Sequence, residues 1–319
     1  KLQETIQLLM ENELSKSTSS NIDRIIRIEA KCDSDRLDKF LATECADISR
    51  SRLQHLILNG YVKVDGSLAK SSLTIRTGQN ISLTIPKTET SDICPQKIPL
   101  TILHEDSDLM VINKQAGLPV HPSPGHPNQT LVNAILAHCN EFELSGDHFR
   151  PGIVHRLDKN TSGLIVVAKN EKTHDDLSKQ FMDRKVNKVY SALVNGNLIP
   201  LSAIIDAPIG RDPNNRKRMA IANNGRKATT EYTVISKFTK YTLIDVKPIT
   251  GRTHQIRVHM LSIGHPLTGD EIYGTPHQKL NRQFLHAISL GFKHPVTQKY
   301  IEFKTDLPDD LNSFLNSLE

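Results

Sequence analysis

Residues 151–169 read PGIVHRLDKNTSGLIVVAK, and the change of character along this stretch decides how the chain folds. Residues 154–158 read as extended, so Arg156 and Asp158 project from one face while His155 and Leu157 face the other way. Leu157 would anchor the segment, and Arg156 and Asp158 would reach toward a cleft. The small run Asn160, Thr161, Ser162, Gly163 then lets the backbone bend sharply. Residues 164–168, LIVVA, have the length and composition of a buried strand. A surface Arg–Asp ion pair at a strand end would read the same way, and this segment alone does not separate the two.

Outward from it, residues 109–113, 189–194, 230–235 and 243–247 also read as strands. Helical spacing is confined to residues 130–139, 173–184 and 253–262. Strands outnumber helices and often follow one another. The spacing therefore predicts an α+β fold whose sheet is mixed and mostly antiparallel, with flanking helices, rather than a doubly wound parallel one. In the strand KVYSALV, Tyr190 shares a face with Ala192 and Val194. In TGRTHQIRVHM, Thr253 can cap a helix carrying Ile256 and Met260 on its apolar side and Arg257 on another face. Residues 264–274, GHPLTGDEIYG, are rich in turn formers and read as a loop.

Upstream, residues 23–86 read as a small separate unit. Ser34 or Asp35 can cap a helix with Leu37, Phe40 and Leu41 on one face, and Ser49 can cap a second with Leu53, Leu56 and Ile57, ended by Gly60. A strand leads from Tyr61 into the turn Asp65-Gly66, and residues 80–85 alternate as a half-buried strand does. Arg50 and Arg52 occupy the first turn of the second helix, where the helix dipole disfavours positive charge. Phosphate contact would give that placement a use; an ordinary solvated basic turn is the alternative. Residues 87–99, without periodicity and with two prolines, read as a linker between this unit and a catalytic domain over residues 100–319. Residues 1–22 are expected to be a flexible polar tail; the sequence opens on Lys1, which leaves an organelle address open.

Several chemistries fail on spacing. No apolar run of about 18 residues is present to span a membrane. The four cysteines make no C-x-x-C pair, which suggests reduced thiols in a cytosol-like compartment. His254, His259 and His265 are spaced H-x4-H-x5-H, and helix positions five apart differ by about 140°, so no zinc site is expected. There is no G-x-S-x-G around Ser162 and no phosphate- or dinucleotide-binding glycine loop. Carboxylate chemistry centred on Asp158 is left standing. A net charge of +5 favours an anionic partner only weakly. Residues 211–227 carry Arg211, Arg216, Lys217, Arg218, Arg226 and Lys227 against Asp212 alone. That run is either a solvated loop or a guide for a phosphate backbone.

PGIVHRLDKNTSGLIVVAK resembles the signature of the RluA-type family of pseudouridine synthases, whose aspartate lies in an H-R-L-D motif. LMVINKQAGLPVHP (109–122) resembles the family's first motif, with Gln115 where proline is usual; KVYSALV resembles its tyrosine motif. GRTHQIRVHM with GHPLTGDEIYG resembles the third motif, and RQFLHA (282–287) a further family segment. RLDKFL followed by SRSRLQHLILNGYVKVDG resembles the S-four-type RNA-binding domain that often precedes this catalytic domain.

The resemblance implies isomerisation of uridine to pseudouridine in structured RNA, most often large-subunit ribosomal RNA, without cofactor or metal. It implies Asp158 as the catalytic carboxylate, Arg257 as the arginine that keeps it ionised, and Tyr190 packed under the base. Arg156 would fill the space vacated by the flipped uridine. Arg50, Arg52, Arg216, Lys217 and Arg218 would contact RNA. A cytoplasmic monomer with no membrane association is expected. The rivals are an inert RNA-binding relative, a glycosidase that releases free uracil, and a metal-dependent hydrolase.

Overall fold

The structure, a computed structural model, describes residues 22–45, 48, 50–86, 93–123, 126–139, 152–215 and 218–318. The chain divides into two compact units, the second beginning at Ile93. Arg216 and Lys217, and most of the expected polar tail, lie outside the described residues.

The first unit contains β1 (Ile22–Glu29), α1 (Leu37–Glu44), α2 (Arg50–Leu58), β2 (Val62–Val64), β3 (Ser67–Leu68) and β4 (Asn80–Pro86). Its antiparallel sheet has the order β1-β4-β2-β3. Leu37 and Leu41 of α1 and Leu53, Leu56 and Ile57 of α2 bury against Val62, Ile81 and Leu83 of that sheet. The i, i+3, i+4 spacing of these helices is what brings those side chains to one face. Gly60, at φ 78°, ends α2, while Asp65 and Gly66, both at positive φ, make the tight turn between β2 and β3.

The cap expected for α1 differs. Neither Ser34 nor Asp35 is the N-cap; Arg36 is, without a side-chain cap bond. Ser34 instead bridges to Ile75 and donates its hydroxyl to the Arg36 carbonyl, which keeps it outside the helix. Strand β1, which the sequence reading did not distinguish, pairs with the whole of β4.

The second unit contains β5 (Thr101–Glu105), β6 (Leu109–Lys114), α3 (Leu131–His138), β7 (Ser162–Ala168), α4 (Glu171–Met182) and β8 (Asn187–Asn195). It continues with β9 (Ser202–Asp206), β10 (Ile209–Arg211), β11 (Met219–Ile221), β12 (Thr229–Lys237) and β13 (Tyr241–Pro248). It ends with α5 (Gln255–Ser262), β14 (Leu285–Lys293), β15 (Tyr300–Lys304) and α6 (Asp309–Asn316). Nine strands form one sheet in the order β5-β6-β7-β14-β8-β13-β12-β9, with β15 also on β14. Among the described residues only the β7–β14 pair is parallel, so the sheet is mixed and mostly antiparallel. The expected strands and helices all occur; β5, β9, β10, β11, β14, β15 and α6 are additional.

The main core combines Met110, Ile112, Leu131, Ile135, Ile165, Val167, Ala192, Val194, Ile256 and Met260. Residues 93–99, expected as linker, have no regular structure but are tied to α3: Asn133 donates to the Cys94 carbonyl, and the Gln96 amide donates to the Asn133 carbonyl. The four cysteines form no disulfide, and among the described residues no helix is long and apolar enough to cross a membrane.

Candidate active site

Asp158 lies in the loop between the extended segment 153–157 and β7, on the side of the sheet faced by α5. Ile153 bridges to Val167, and the Val166 amide donates to His155 Nε2 at 3.0 Å, so the segment runs along β7 without joining the ladder. Leu157 is buried in the main core, as its alternation with Arg156 and Asp158 predicted, whereas Arg156 is exposed. The loop after Asp158 is fixed from several sides. The Lys159 carbonyl accepts from the Gly117 amide at 2.9 Å and from Lys114 Nζ at 3.2 Å. The Asn160 carbonyl accepts from Arg282, and Thr161 Oγ1 accepts from Gln283.

Two further carbonyls, of Gln115 and Leu118, complete the partners of the wholly buried Lys114 ammonium. Burial pulls Lys114 down to about 7, although the charge of Asp158 works the other way. Arg282 is itself held by Asp310 through two bonds of 2.6 and 2.9 Å. Gln115, which replaces the usual proline, contributes its carbonyl here and reaches Pro99 with its side chain.

Arg257 projects from the first turn of α5. Its Nη1 donates to Asp158 Oδ2 at 3.1 Å, while Nε and Nη2 grip both oxygens of Asp270 at 2.7 and 2.8 Å. Arg257 and Asp270 are both buried, and the fork geometry leaves the guanidinium little freedom. Burial alone would oppose its charge, but Asp270 and Asp158 more than compensate and push its pKa up. Asp270 is in turn capped by the amides of Ile272 and Tyr273. These contacts form three links in series, so the turn 270–273 sets the position of Asp270, Asp270 that of Arg257, and Arg257 that of the Asp158 carboxylate.

The entry to α5 differs from expectation. Thr253 is not the cap: His254 is, at φ 56°, with no side-chain cap bond. Gln255 holds the turn instead, accepting from the Arg252 amide and the Thr250 hydroxyl. This strained backbone puts His254 Nε2 at 3.9 Å from Asp158 Oδ2 and Nδ1 at 2.8 Å from the Tyr273 hydroxyl.

Two adjoining cavities of about 570 and 340 Å³ share Arg156, Asp158, His254 and Arg257. Tyr190 lines the larger one; its ring is buried with Ala192 and Leu285, and its hydroxyl makes no hydrogen bond among the described residues. Asp158, Tyr190, Arg257 and Arg156 therefore come together at one cleft. Of the other expected RNA contacts, Arg50 bonds Asp38 within the first unit, nothing is described for the Arg52 side chain, and Arg218 stacks on the Tyr273 ring at 5.1 Å. Arg257 covers the same ring at 4.9 Å.

Asp270, Tyr273, Lys114, Arg282 and His254 were given no role in advance. Asp270 sits in a run of turn residues beside Glu271, with nothing to single it out; Lys114 ends an apolar strand, where a lone charge was the available signal. His254, His259 and His265 each bond different partners and do not converge. Asp106, Asp108 and His294 do lie close enough for a metal. Their atoms are engaged with one another, with the Leu109 amide and with Asn170, an arrangement that clasps the β5–β6 turn.

A family described as RNA pseudouridylate synthase matches residues 108–262, and an S4 domain matches residues 35–81. A Bacillus subtilis protein named as an RNA pseudouridine synthase is 44% identical over 89% of this chain and 94% of its own length. A Zymomonas mobilis protein named ribosomal large subunit pseudouridine synthase D is 42% identical over 89% of this chain and 93% of its own. The solved structure of human RNA pseudouridylate synthase domain containing 1 aligns over 70% of this chain and 88% of its own, with a TM-score of 0.56 and 28% identity.

Proposed function

This chain belongs to the RNA pseudouridylate synthase family, and from that premise we propose that it isomerises uridines of large-subunit ribosomal RNA through Asp158. Pseudouridine formation breaks the bond from ribose C1′ to uracil N1 and makes a bond from C1′ to C5. The C5 proton is released and N1 gains one, so there is no net redox change and the chemistry required is nucleophilic or acid–base.

The observation that carries the reading is the Asp158 carboxylate, fixed at 3.1 Å by an arginine that Asp270 immobilises, in a cleft that Tyr190 also lines. Arg257 holds the carboxylate at one position, where it acts on the ribose or the base as nucleophile or proton acceptor. The Tyr190 ring offers a face for the uracil. A stacked uridine cannot reach Asp158, so the base must leave its helix or loop first. Exposed Arg156, beside Asp158 at the cleft, has the planar cation suited to occupying the space it leaves. The S4 domain supplies a second RNA contact, and the name of the Zymomonas relative supports large-subunit ribosomal RNA as the target.

The test is Asp158→Asn, which preserves size and removes the charge and the basic oxygen. Single-turnover pseudouridine formation, followed by tritium release from C5-labelled uridine in ribosomal RNA transcripts, should fall by roughly 1,000-fold or more. RNA affinity should be retained, because cations supply it. Near-normal turnover by this variant would remove Asp158 from the chemistry.

A further inference from the structure

Lys188 lies two residues before Tyr190 on β8, so both side chains leave the same face of the strand, roughly 7 Å apart along it. It lines the same cavity as Asp158, Tyr190 and Arg257. Its ammonium stands 5.8 Å from the centre of the Phe181 ring, and Phe181 stacks on His155 at 4.4 Å. His155 is neutral, since burial holds it down to about 3 and its Nε2 accepts the Val166 amide.

Among the described residues no carboxylate pairs with the Lys188 ammonium and no hydrogen bond satisfies it. Two other cations that line the site, both buried, differ in this respect: Arg257 has two carboxylates, and Arg282 has Asp310 and a loop carbonyl. Burial draws the Lys188 pKa down to about 8, which leaves it largely protonated at neutral pH. A partly dehydrated cation with no anion costs free energy that a bound anion restores.

The reading of the cleft as a uridine site supplies the identity of that anion. A nucleotide whose base lies on Tyr190 carries its charge only on the flanking phosphodiesters. We infer that Lys188 binds a phosphodiester oxygen next to the flipped uridine, forming a phosphate subsite inside the catalytic cleft. Exposed Arg184, which lines the same cavity, extends the basic path outward from it. Lys188 thereby fixes the backbone of the target nucleotide while Tyr190 and Asp158 engage its base and sugar.

The experiment compares the full-length chain with Lys188→Met and Lys188→Arg on a large-subunit ribosomal RNA transcript tritiated at uracil C5. Filter binding across a salt series gives affinity and salt slope; tritium release at saturating RNA gives the chemical step. Losing one phosphate contact should make the slope shallower by about 0.7–0.9 and weaken binding about 10-fold at moderate salt. Lys188→Arg should restore the slope, and the rate at saturation should change less than the affinity. Methionine keeps the stem that packs on Phe181, and thermal melting checks that the variant stays folded. An unchanged slope in Lys188→Met, or weakened binding that arginine does not rescue, overturns the phosphate subsite while wild-type tritium release still supports the uridine reading. A wild-type chain that releases no tritium overturns that reading and the subsite with it.

Discussion

At Tyr190 the ring and the hydroxyl stand in different surroundings. The ring packs with Ala192 and Leu285 along a cleft, whereas burial, with a smaller contribution from the charge of Asp158, raises the hydroxyl pKa above its ordinary range. A phenol that stays protonated and makes no hydrogen bond within the described residues is poorly placed to move protons. Tyr190→Phe should therefore keep activity within about 10-fold of wild type, and Tyr190→Leu should lose roughly 10–100-fold more, the scale of one base–aromatic stack. Equal inactivity of the two variants in single-turnover assays would assign the hydroxyl a proton-transfer role. Asp158, Tyr190 and Arg257 were legible because each sits in a motif and projects from a definable face. The Asp270 grip on Arg257 was not legible, because it depends on how a loop folds back over a helix. Arg50 shows the reverse problem. Read along its helix it is a cation against the dipole; in the folded unit it shares the wholly buried Asp38 with Arg36, at 2.9 Å from each.

Gly163 sets the geometry of the one parallel strand pair. At φ 112° it lets β7 approach so closely that an added Cβ would stand 2.4 Å from the Ala287 carbonyl oxygen. Neither backbone can yield without disturbing the Asp158 loop on one side or Arg282 on the other. Gly163→Ala should cost roughly 3 kcal/mol or more, read as a lower urea midpoint. The β5–β6 hairpin carries a pH signature. Burial raises the Asp106 pKa, but the amides of Leu109 and Asp108 with His104 and His294 override it and hold the carboxyl at about 2. Its contribution is complete above the unfolded value near 4 and is lost as pH falls from there toward 2. Asp106→Asn should remove about 1–2 kcal/mol of stability at pH 7 and flatten the acid limb between pH 4 and 2. An unchanged acid limb would show that the clasp does not persist in solution. Elements with clean periodicity, such as β13 and α3, were readable from the sequence. Strand β14 was not, since it is buried on both faces and shows no alternation, and β10 and β11 are too short to carry a period.

Each unit owns its core, with Leu37, Leu53 and Leu83 in one cluster and Met110, Ile165 and Ala192 in another. A fragment beginning at Ile93 should therefore unfold cooperatively by itself and retain pseudouridine formation on RNA supplied in excess. It should bind RNA more weakly and with a shallower salt slope, because the S4 domain's cations are gone. Affinity and slope equal to those of the full chain would deny the S4 domain a share in RNA binding. Within the larger unit, β7 and β8 follow one another in the chain, yet β14 lies between them in the sheet. A ribosome making this protein releases β7 and β8 well before the strand that joins them. The halves of the sheet must wait for residues 285–293, and such long-range pairing is slow. Arg282 and Gln283, which brace the Asp158 loop, emerge just ahead of that same strand. The nascent polypeptide is thus born without a working site, and competence to modify RNA waits until residues 282–293 have been made.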